Sequence, residues 1–285
     1  MESKMPSSPY GTKPMAKMRL DAALTERGLC RSRSLAQALI LAGDIWVNGQ
    51  MRDKASSQVQ DEDIIELREK PPYVSRGGLK LEKAFEAFGL CVKDQICLDI
   101  GASTGGFTDC LLQRGAQTVY ALDVGHGQLD YRLRQDARVV VMERYNARHL
   151  NPADFPPIQF ACADVAFISL KLILPPLLPC MGQGAQGVVL IKPQFEAGRE
   201  LLGKNGVVRD PLVRGHVCLD IMRFAHETGL FVGGLTASPI TGPKGNHEYL
   251  LHLYGQYSEK ALAAEAYEAE VERVIQNEMP EKAEE

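Results

Sequence analysis

The 285-residue chain has no long apolar run. A membrane-spanning helix needs about 18 or more consecutive apolar residues. The longest apolar stretches here, residues 35–42 and 172–181, are shorter, and prolines interrupt the second. Residues 1–17 contain three Lys but lack the apolar segment of a secretory signal. The sequence therefore predicts neither a membrane span nor a secreted protein.

Paired cysteines are also missing. The seven cysteines are odd in number and include no CxxC spacing, which argues against a disulfide framework or a zinc site. Such usage is typical of reduced thiols buried as small apolar side chains in a cytoplasmic protein. Apolar residues make up 45% of the chain and charged residues 24%, which excludes a disordered chain and fits one or two folded domains. We expect a cytoplasmic protein without a metal.

The small net charge of −4 conceals an uneven distribution. Residues 258–285 contain nine Glu against three Lys or Arg, a net of −6. Residues 1–54 contain nine basic and five acidic residues, a net of +4. A basic front segment is compatible with a polyanionic partner, although a solvated surface has the same composition.

The front of the chain divides into short segments. Residues 1–17 are predicted to be a disordered leader, and residues 69–72, with two prolines, a linker. Between them, residues 18–68 have the pattern of a small α+β domain. Its first helix begins near Arg19 and breaks at Gly28. The second is capped by Ser32 or Ser34, ends at Gly43 and has four predicted apolar positions, Leu35, Ala38, Leu39 and Leu41. Asn48-Gly49 predicts a hairpin, and residues 63–67 a closing strand.

From about residue 73 to 257, strand-like runs alternate with helical stretches. This alternation predicts an α/β domain with a mainly parallel sheet covered by helices on both faces. The acidic tail, 258–285, is predicted to be helical. The predicted strands are residues 96–100, 118–122, 139–142, 160–163, 187–191 and 249–253.

A glycine-rich turn follows the first of these strands. The strand contains Asp99, and the turn runs through Gly101, Ala102, Ser103, Thr104, Gly105 and Gly106 into a helix starting at Phe107. In open α/β sheets, cofactors bind at such a turn, where the backbone can approach a ligand closely. The glycine spacing of this turn does not fit a dinucleotide loop, and the later run Gly242-Pro243-Lys244-Gly245 lacks the flanking residues and spacing of a P-loop.

Acidic residues near this turn favour a cofactor without phosphate. A carboxylate at Asp99 would repel a pyrophosphate but suits the ammonium of S-adenosylmethionine. Asp123, at the end of the next strand, is placed to bind two ribose hydroxyls. Asn146, after the third strand, is a candidate for the adenine edge. The order of these residues predicts an S-adenosylmethionine-dependent methyltransferase.

Four charged residues occupy strand ends or loops where catalysis belongs: Lys80, Asp164, Lys192 and Glu248. A hydroxyl acceptor needs a base, and a lysine can act as one. Each also has a structural interpretation. Lys80 could be a solvated helix residue with Lys83 as its rival, Asp164 a helix cap, and Glu248 an exposed strand residue. Lys192 ends an apolar strand and is poorly explained as surface.

Five ordered motifs carry a resemblance to a known family. They are Ser75–Leu81, Asp99–Phe107, Asp164–Ser169, Lys192–Glu196 and Gly245–Glu248. Together they resemble the TlyA (haemolysin A) family, whose catalytic domain is similar to FtsJ/RrmJ-type ribose 2′-O-methyltransferases. Residues 18–67 resemble the S4-type RNA-binding domain of a ribosomal protein.

The resemblance implies a Rossmann-like class I methyltransferase fold that binds S-adenosylmethionine. It also implies a Lys-Asp-Lys-Glu tetrad at Lys80, Asp164, Lys192 and Glu248, with Ser75 and Asp164 at the cofactor. The implied substrate is a ribose 2′-hydroxyl, of cytidine, in ribosomal RNA or ribosomal subunits. We interpret Lys192 as the base, Lys80 and Glu248 as the groups that tune and orient, and Asp164 as the residue that positions Lys192.

Four arginines of the front domain are candidates for RNA phosphates: Arg19, Arg27, Arg31 and Arg33. A solvated helical face is the alternative for them. Three other functions stay open at this stage. The protein could be an RNA-binding assembly factor with little methylation activity, a haemolysin-like membrane-active protein, or a methyltransferase for small molecules.

Overall fold

The computed structural model describes residues 17–67 and 71–278. Apart from Lys17, the predicted leader lies outside the described residues, as does the end of the acidic tail. The chain divides between Pro71 and Pro72 into two compact units. Cys91 is exposed and the other six cysteines are buried as free thiols, as predicted.

The first unit is a small α+β fold. Strand β1 pairs with β4, and β2 lies between β3 and β5, all antiparallel. The hairpin prediction is confirmed, since Asn48 and Gly49 have positive φ angles of 50° and 77° between β2 and β3. In chain order the elements are β1 (Met18–Arg19), α1 (Leu20–Glu26), α2 (Arg33–Ala42), β2 (Ile45–Val47), β3 (Gln50–Met51), β4 (Gln58–Val59) and β5 (Ile65–Leu67).

The buried face of α2 differs from the prediction. The ends are as expected: Ser32 Oγ accepts from Leu35 N, and Gly43 ends the helix in the left-handed conformation. The predicted apolar positions 35, 38 and 41 are exposed, and Leu39 is half-buried. Ala36 and Ile40 are fully buried instead. Apolar residues occupy most sides of this helix, so the stripe that faces α1 is chosen by packing rather than by the sequence pattern.

The second unit is a seven-stranded sheet with helices on both faces, as predicted. The strand order is β11-β12-β10-β9-β6-β7-β8. Strand β12 runs antiparallel to its neighbours, and the ladders between the other strands are parallel. The strands are β6 (Ile96–Ile100), β7 (Thr118–Asp123), β8 (Val139–Glu143), β9 (Ile158–Ala163), β10 (Met181–Ile191), β11 (Phe231–Ala237) and β12 (Tyr249–Tyr254).

Seven helices accompany this sheet among the described residues. Helix α4 begins directly after the glycine-rich turn, where the sequence predicted a helix. The helices are α3 (Gly77–Phe88), α4 (Gly106–Gln113), α5 (Tyr131–Gln135), α6 (Leu174–Leu177), α7 (Pro193–Glu196), α8 (Pro211–Thr228) and α9 (Tyr267–Asn277).

The strand order places a crevice beside β6. The chain proceeds from β6 outward to β7 and β8, and then returns to the other side of β6 as β9. Loops diverge above such a switch point, and open α/β sheets bind ligands there. The backbone N–H of Asp164, after β9, donates to the oxygen of Ile100 at the end of β6 (3.0 Å). The glycine-rich turn and Asp164 therefore meet at the crevice.

Strand β11 was not predicted. Its centre is Gly233-Gly234, which interrupts the apolar pattern. The structure requires both glycines, because a Cβ on Gly233 would lie 2.2 Å from the ring of His252, and Gly234 has a φ of 156° at an irregular point of the pairing with β12. The contact of Gly233 with the His252 ring and the φ angle of Gly234 thus explain why glycine occupies both positions. The same glycines make the strand hard to recognise in the sequence.

The acidic tail contains the predicted helix, α9. Tyr267, Val271, Val274 and Ile275 are buried, and they belong to the same apolar core as α8 and β11. The glutamates occupy mainly the outer side of the helix. Helix α9 is therefore a packed part of the second unit.

Candidate active site

The glycine-rich turn lies tightly against two neighbouring segments. Gly101 has a φ of 84°, and a Cβ there would lie 2.6 Å from the backbone oxygen of Asp164. A Cβ on Gly106 would lie 2.3 Å from Ser75 Oγ. Both positions exclude a larger residue because backbone or a short side chain already fills the space. The turn thus brings its backbone to the floor of the crevice.

Asp99 lies behind the turn rather than at the surface of the crevice. Its side chain is fully buried, accepts a hydrogen bond from Thr108 Oγ1 (2.6 Å), and contacts Cys162 Sγ at 3.7 Å. Burial raises the pKa of Asp99 to about 7, and the charge of Asp164 acts in the same direction. Asp99 therefore anchors α4 to β6 from beneath the turn, and its contact with the cofactor ammonium, directly or through a water, stays a prediction.

Two cavities open above the sheet, of about 470 Å³ and 670 Å³. They share Gly101, Ser103, Asp164 and Ala166 in their walls, so they adjoin at the crevice. The first is also lined by Ser75, Arg76, Gly77, Lys80, Ala102, Thr104, Gly106, Phe107, Lys192, Ile240, Thr241, Gly242 and Glu248. The second is also lined by Ile100, Leu122, Asp123, Val124, Gln128, Tyr145, Asn146, Ala147, Arg148, Val165, Phe167, Ile168, Ser169 and Leu172.

Of the predicted cofactor residues, Gly105 and Asp99 line neither cavity, and the others do. Asp123 accepts backbone hydrogen bonds from Ser103 (2.8 Å) and Gly125 (2.6 Å), which ties the turn to the end of β7. The Asn146 oxygen accepts from the backbone of Arg148 (3.1 Å) and caps a short turn. Gly105 has a φ of 99° and packs under Leu129 and Leu133.

The four charged residues predicted for catalysis meet in the first cavity, and we call them the tetrad. Lys80 Nζ lies 2.6 Å from Glu248 Oε2 and 3.6 Å from Asp164 Oδ2. Lys192 Nζ lies 2.5 Å from Asp164 Oδ1. Glu248 is fully buried, and the other three side chains are 10–20% exposed. Two ammonium groups and two carboxylates thus form one connected, mostly desolvated set.

Four different elements position the tetrad. Lys80 lies on α3, and Asp164 and Lys192 follow the carboxyl ends of β9 and β10. Glu248 precedes β12, and because β12 runs antiparallel, its start lies at the same edge, where Tyr249 pairs with Ile191. Lys83, the sequence rival of Lys80, lies outside both cavities.

Two residues around Glu248 were missed by sequence analysis. Gln194 Nε2 donates to Glu248 Oε1 at 3.3 Å. Gly242 leaves room for the same carboxylate, since a Cβ there would lie 2.1 Å from Glu248 Oε1. The turn at Gly242 was considered in the sequence only as a phosphate loop, and its true neighbour could not be read from local spacing.

A half-buried carboxylate joins the two loops that carry Asp164 and Lys192. Glu196 accepts hydrogen bonds from Ser169 Oγ (2.6 Å) and from the backbone N–H of Leu170 (2.8 Å). Burial raises the pKa of Glu196 above its ordinary value. Next to this link, Phe167 and Phe195 pack with ring centroids 5.0 Å apart. The loops that follow β9 and β10 are therefore fixed to each other.

The four arginines predicted to contact RNA differ in their surroundings. Arg19 and Arg33 both bond to Asp21, which is fully buried and also accepts from Gln37. The Arg19 guanidinium holds the pKa of Asp21 well below its usual range. Arg27 donates to the backbone oxygens of Asp63 (2.6 Å) and Gln60 (2.7 Å). Three of the predicted RNA-contacting residues thus make internal bonds, which the sequence did not indicate, and Arg31 is exposed.

Comparison with known proteins gives two family matches. Residues 73–254 match FtsJ-like methyltransferases, and residues 18–65 match the S4 domain. The 16S/23S rRNA (cytidine-2′-O)-methyltransferase TlyA of Mycobacterium tuberculosis is 46% identical over 260 residues, covering 90% of this chain and 97% of the relative.

Two other similarities also cover most of this chain. Hemolysin A of Brachyspira hyodysenteriae is 47% identical, covering 82% of this chain and 99% of its own. A solved structure from Streptococcus thermophilus is 46% identical, with a TM-score of 0.69, covering 92% of this chain and 97% of that one.

Across the described residues, none of the helices combines the length and the apolar character that crossing a bilayer requires. No three His, Cys, Asp or Glu side chains within residues 17–67 and 71–278 gather where they could hold a metal ion.

Proposed function

The chain belongs to the TlyA family of FtsJ-like methyltransferases with an S4 domain, and we propose that it methylates a ribose 2′-hydroxyl of ribosomal RNA. The observation that carries the proposal is the tetrad, which lies in a cavity adjoining the glycine-rich turn. By similarity to the mycobacterial relative, the nucleotide is a cytidine. Ribosomal RNA as substrate places the reaction in the cytoplasm.

The residues of the crevice fit S-adenosylmethionine. The space that a Cβ would fill at Gly101 and Gly106 shows that the turn must remain bare of side chains. In the proposal the backbone of this turn, Ser75 and Asp164 hold the amino-acid end, and Asp123 and Asn146 hold the nucleoside in the second cavity. S-adenosylmethionine, when bound, supplies a methyl group activated by its sulfonium charge.

The tetrad provides the proton chemistry that a ribose hydroxyl requires. A hydroxyl is a weak acid, so its attack on a methyl group is assisted by a group that takes the proton. We assign this role to Lys192 Nζ, which Asp164 holds at 2.5 Å and which accepts the proton once it has itself lost one and become the neutral amine. Lys80, bound between Glu248 and Asp164, balances the carboxylates and orients the ribose. The four groups share charge closely enough that protons leave them as a coupled set.

The first unit supplies binding to RNA in this proposal. An S4 domain with exposed arginines can hold phosphates without reading base sequence. Structured RNA is recognised largely by shape and backbone, and the target nucleotide must leave its stack to bring its 2′-hydroxyl to the tetrad. All four candidate arginines are exposed, and Arg31 is the one that makes no side-chain hydrogen bond or ion pair with another described residue.

The test is transfer of a tritiated methyl group from S-adenosylmethionine to ribosomal RNA, supplied naked and within purified subunits. The proposal predicts label on RNA for the wild type and a loss of about 10³-fold or more for Lys192→Ala, because the base is removed. Cofactor binding by calorimetry should be retained. Lys171→Ala is the matched control, since Lys171 pairs with Asp220 on α8 outside the first cavity.

Two results would contradict the proposal. Near-normal turnover by Lys192→Ala would exclude Lys192 as the proton acceptor. No transfer to any RNA by a wild type that binds the cofactor would favour an RNA-binding assembly factor or a different acceptor.

A further inference from the structure

One carboxylate contacts both residues that flank Glu248. Tyr249 OH donates to Glu278 Oε2 at 2.9 Å, and His247 Nδ1 lies 3.4 Å from the same oxygen. Glu278 directly follows α9. Because side chains alternate along extended chain, residues 247 and 249 share one face and Glu248 points to the other. Glu278 therefore holds the residues on both sides of Glu248, and it does so from the face of the chain opposite the first cavity.

The contacts around Glu278 form a buried network. Arg214 Nε donates to Tyr249 OH (2.8 Å), so the hydroxyl proton is directed at Glu278. Arg214 Nη1 donates to the backbone oxygen of Arg209 (2.7 Å), and Nη2 lies 3.4 Å from Glu278 Oε2. Arg214 is 5% exposed and Tyr249 fully buried. Charges in such a desolvated network hold their partners firmly, because losing one leaves the other unpaired.

Glu248 depends on this support because its buried carboxylate has few polar partners among the described residues. The carboxylate contacts Lys80 at 2.6 Å and Gln194 at 3.3 Å. The turn at Gly242 leaves space beside the Glu248 carboxylate, and its described residues form no hydrogen bond with it. On the backbone, Glu248 accepts from Ser238 N at 2.9 Å. The direction of Glu248 towards Lys80 is thus set largely by where β12 starts.

We infer that Glu278 is a positioning residue for methyl transfer, acting through His247 and Tyr249 on Glu248. This inference rests on the proposed function of the tetrad. Glu278 lies beyond residues 73–254, the range that matches FtsJ-like methyltransferases. The acidic segment that follows the matched region would then contribute to catalysis as well as to packing.

The test compares Glu278→Ala with Glu272→Ala, which replaces an exposed glutamate on α9. We expect Glu278→Ala to lower kcat about tenfold, since small displacements of a catalytic group are costly. The KM for S-adenosylmethionine should stay within about twofold, because the turn after β6 is not disturbed. Glu278→Gln, whose amide oxygen still accepts from Tyr249, should recover most of kcat. Glu272→Ala should behave as wild type.

Tyr249→Phe provides a second route if Glu278→Ala does not fold, because it keeps the packed ring and removes the hydroxyl. It should lower kcat similarly. Where Glu278→Ala folds, the double variant of Tyr249→Phe with Glu278→Ala should be no slower than Tyr249→Phe alone, since both changes break the same link. An unchanged kcat in both single variants would overturn the inference, as would fully additive losses.

A measurement without turnover separates this inference from the proposed function. The side-chain carboxyl ¹³C resonance of Glu248, assigned with Glu248→Gln, should shift in Glu278→Ala and remain in place in Glu272→Ala. A resonance unmoved in both variants would overturn the inference even if the wild type methylates RNA. A shift in Glu278→Ala with a wild type that methylates no RNA would instead refute the proposed function.

Discussion

A Cβ on Gly101 would lie 2.6 Å from the backbone oxygen of Asp164, whose side chain lies 2.5 Å from Lys192. The glycine-rich turn and the tetrad are therefore adjacent through one residue. The same stretch of chain that limits the turn to glycine carries the carboxylate that holds the proposed base. Cofactor binding and proton transfer thus depend on the same local packing.

Gly101→Ala is predicted to reduce cofactor affinity strongly. The new methyl group meets backbone rather than a movable side chain, so the turn or Asp164 must shift. Gly127→Ala is the control, because Gly127 has a similar φ of 70° and nothing within 4 Å of its added Cβ. Both variants carry the cost of a left-handed residue, about 1 kcal/mol. Calorimetry should show a loss of about tenfold or more in S-adenosylmethionine affinity for Gly101→Ala alone. Equal affinities would contradict the close packing.

Asp99 predicts a pH dependence of stability. Its folded pKa of about 7 lies above the ordinary value of 3.8, so the folded state binds more protons between these pH values. Its contribution to stability is present below about pH 4 and is lost as the pH rises towards 7. Asp99→Asn lacks this dependence. Between pH 4 and pH 8, the unfolding free energy of the variant should rise relative to that of the wild type by up to about 4 kcal/mol. Denaturant titrations at several pH values measure it, and a constant difference would refute a buried, proton-binding Asp99.

His252 predicts the opposite trend. The ring is 3% exposed, stacks on Phe88 and lies 2.9 Å from Gln186 Oε1, and burial lowers its pKa from 6.5 to about 4. The unfolded chain binds the extra proton, so stability is lost as the pH falls from about 6.5 to 4. His252→Gln should flatten that loss by about 3 kcal/mol. Melting curves of the wild type, of His252→Gln and of the control His149→Gln, which replaces an exposed histidine, measure this effect. An equal dependence of stability on pH in all three proteins would show that His252 is not responsible.

Arg31 and Arg27 are predicted to act differently. Arg31→Ala should weaken binding of ribosomal RNA and lower the salt dependence of log K by about one unit, because one phosphate contact is removed. Arg27→Ala should lower the melting temperature, since Arg27 bonds to the backbone of Gln60 and Asp63. Filter binding across a salt series, with melting curves, separates the two. An unchanged salt slope in Arg31→Ala would remove Arg31 from the RNA-binding surface.

Local patterns predicted much of the fold. Strand β6 follows from an apolar run, and the turn after it from a cluster of glycines. Helix α4 follows from apolar residues at helical spacing. The pattern failed where packing chose among alternatives. Helix α2 has apolar residues on several sides, and β11 contains two glycines, one required by the ring of His252 and the other by its φ of 156°.

The site was harder to predict because its members are distant in sequence. Lys80 and Glu248 are 168 residues apart, and their meeting depends on the antiparallel β12. Their candidacy came from motif resemblance and strand ends, while Gln194, Gly242 and Glu278 had no local signal. Asp99 was recognised as important, but its depth beneath the turn follows only from the packing of Thr108 and Cys162 against it.

The most direct test of the central claim identifies the methylated atom. Ribosomal RNA treated with the enzyme and S-adenosylmethionine would be digested to nucleosides and analysed by mass spectrometry. The account predicts a ribose-methylated nucleoside, 2′-O-methylcytidine, that is absent with Lys192→Ala. A methyl group on a base, or product formation that survives the loss of Lys192, would contradict the assignment of the tetrad to a ribose hydroxyl.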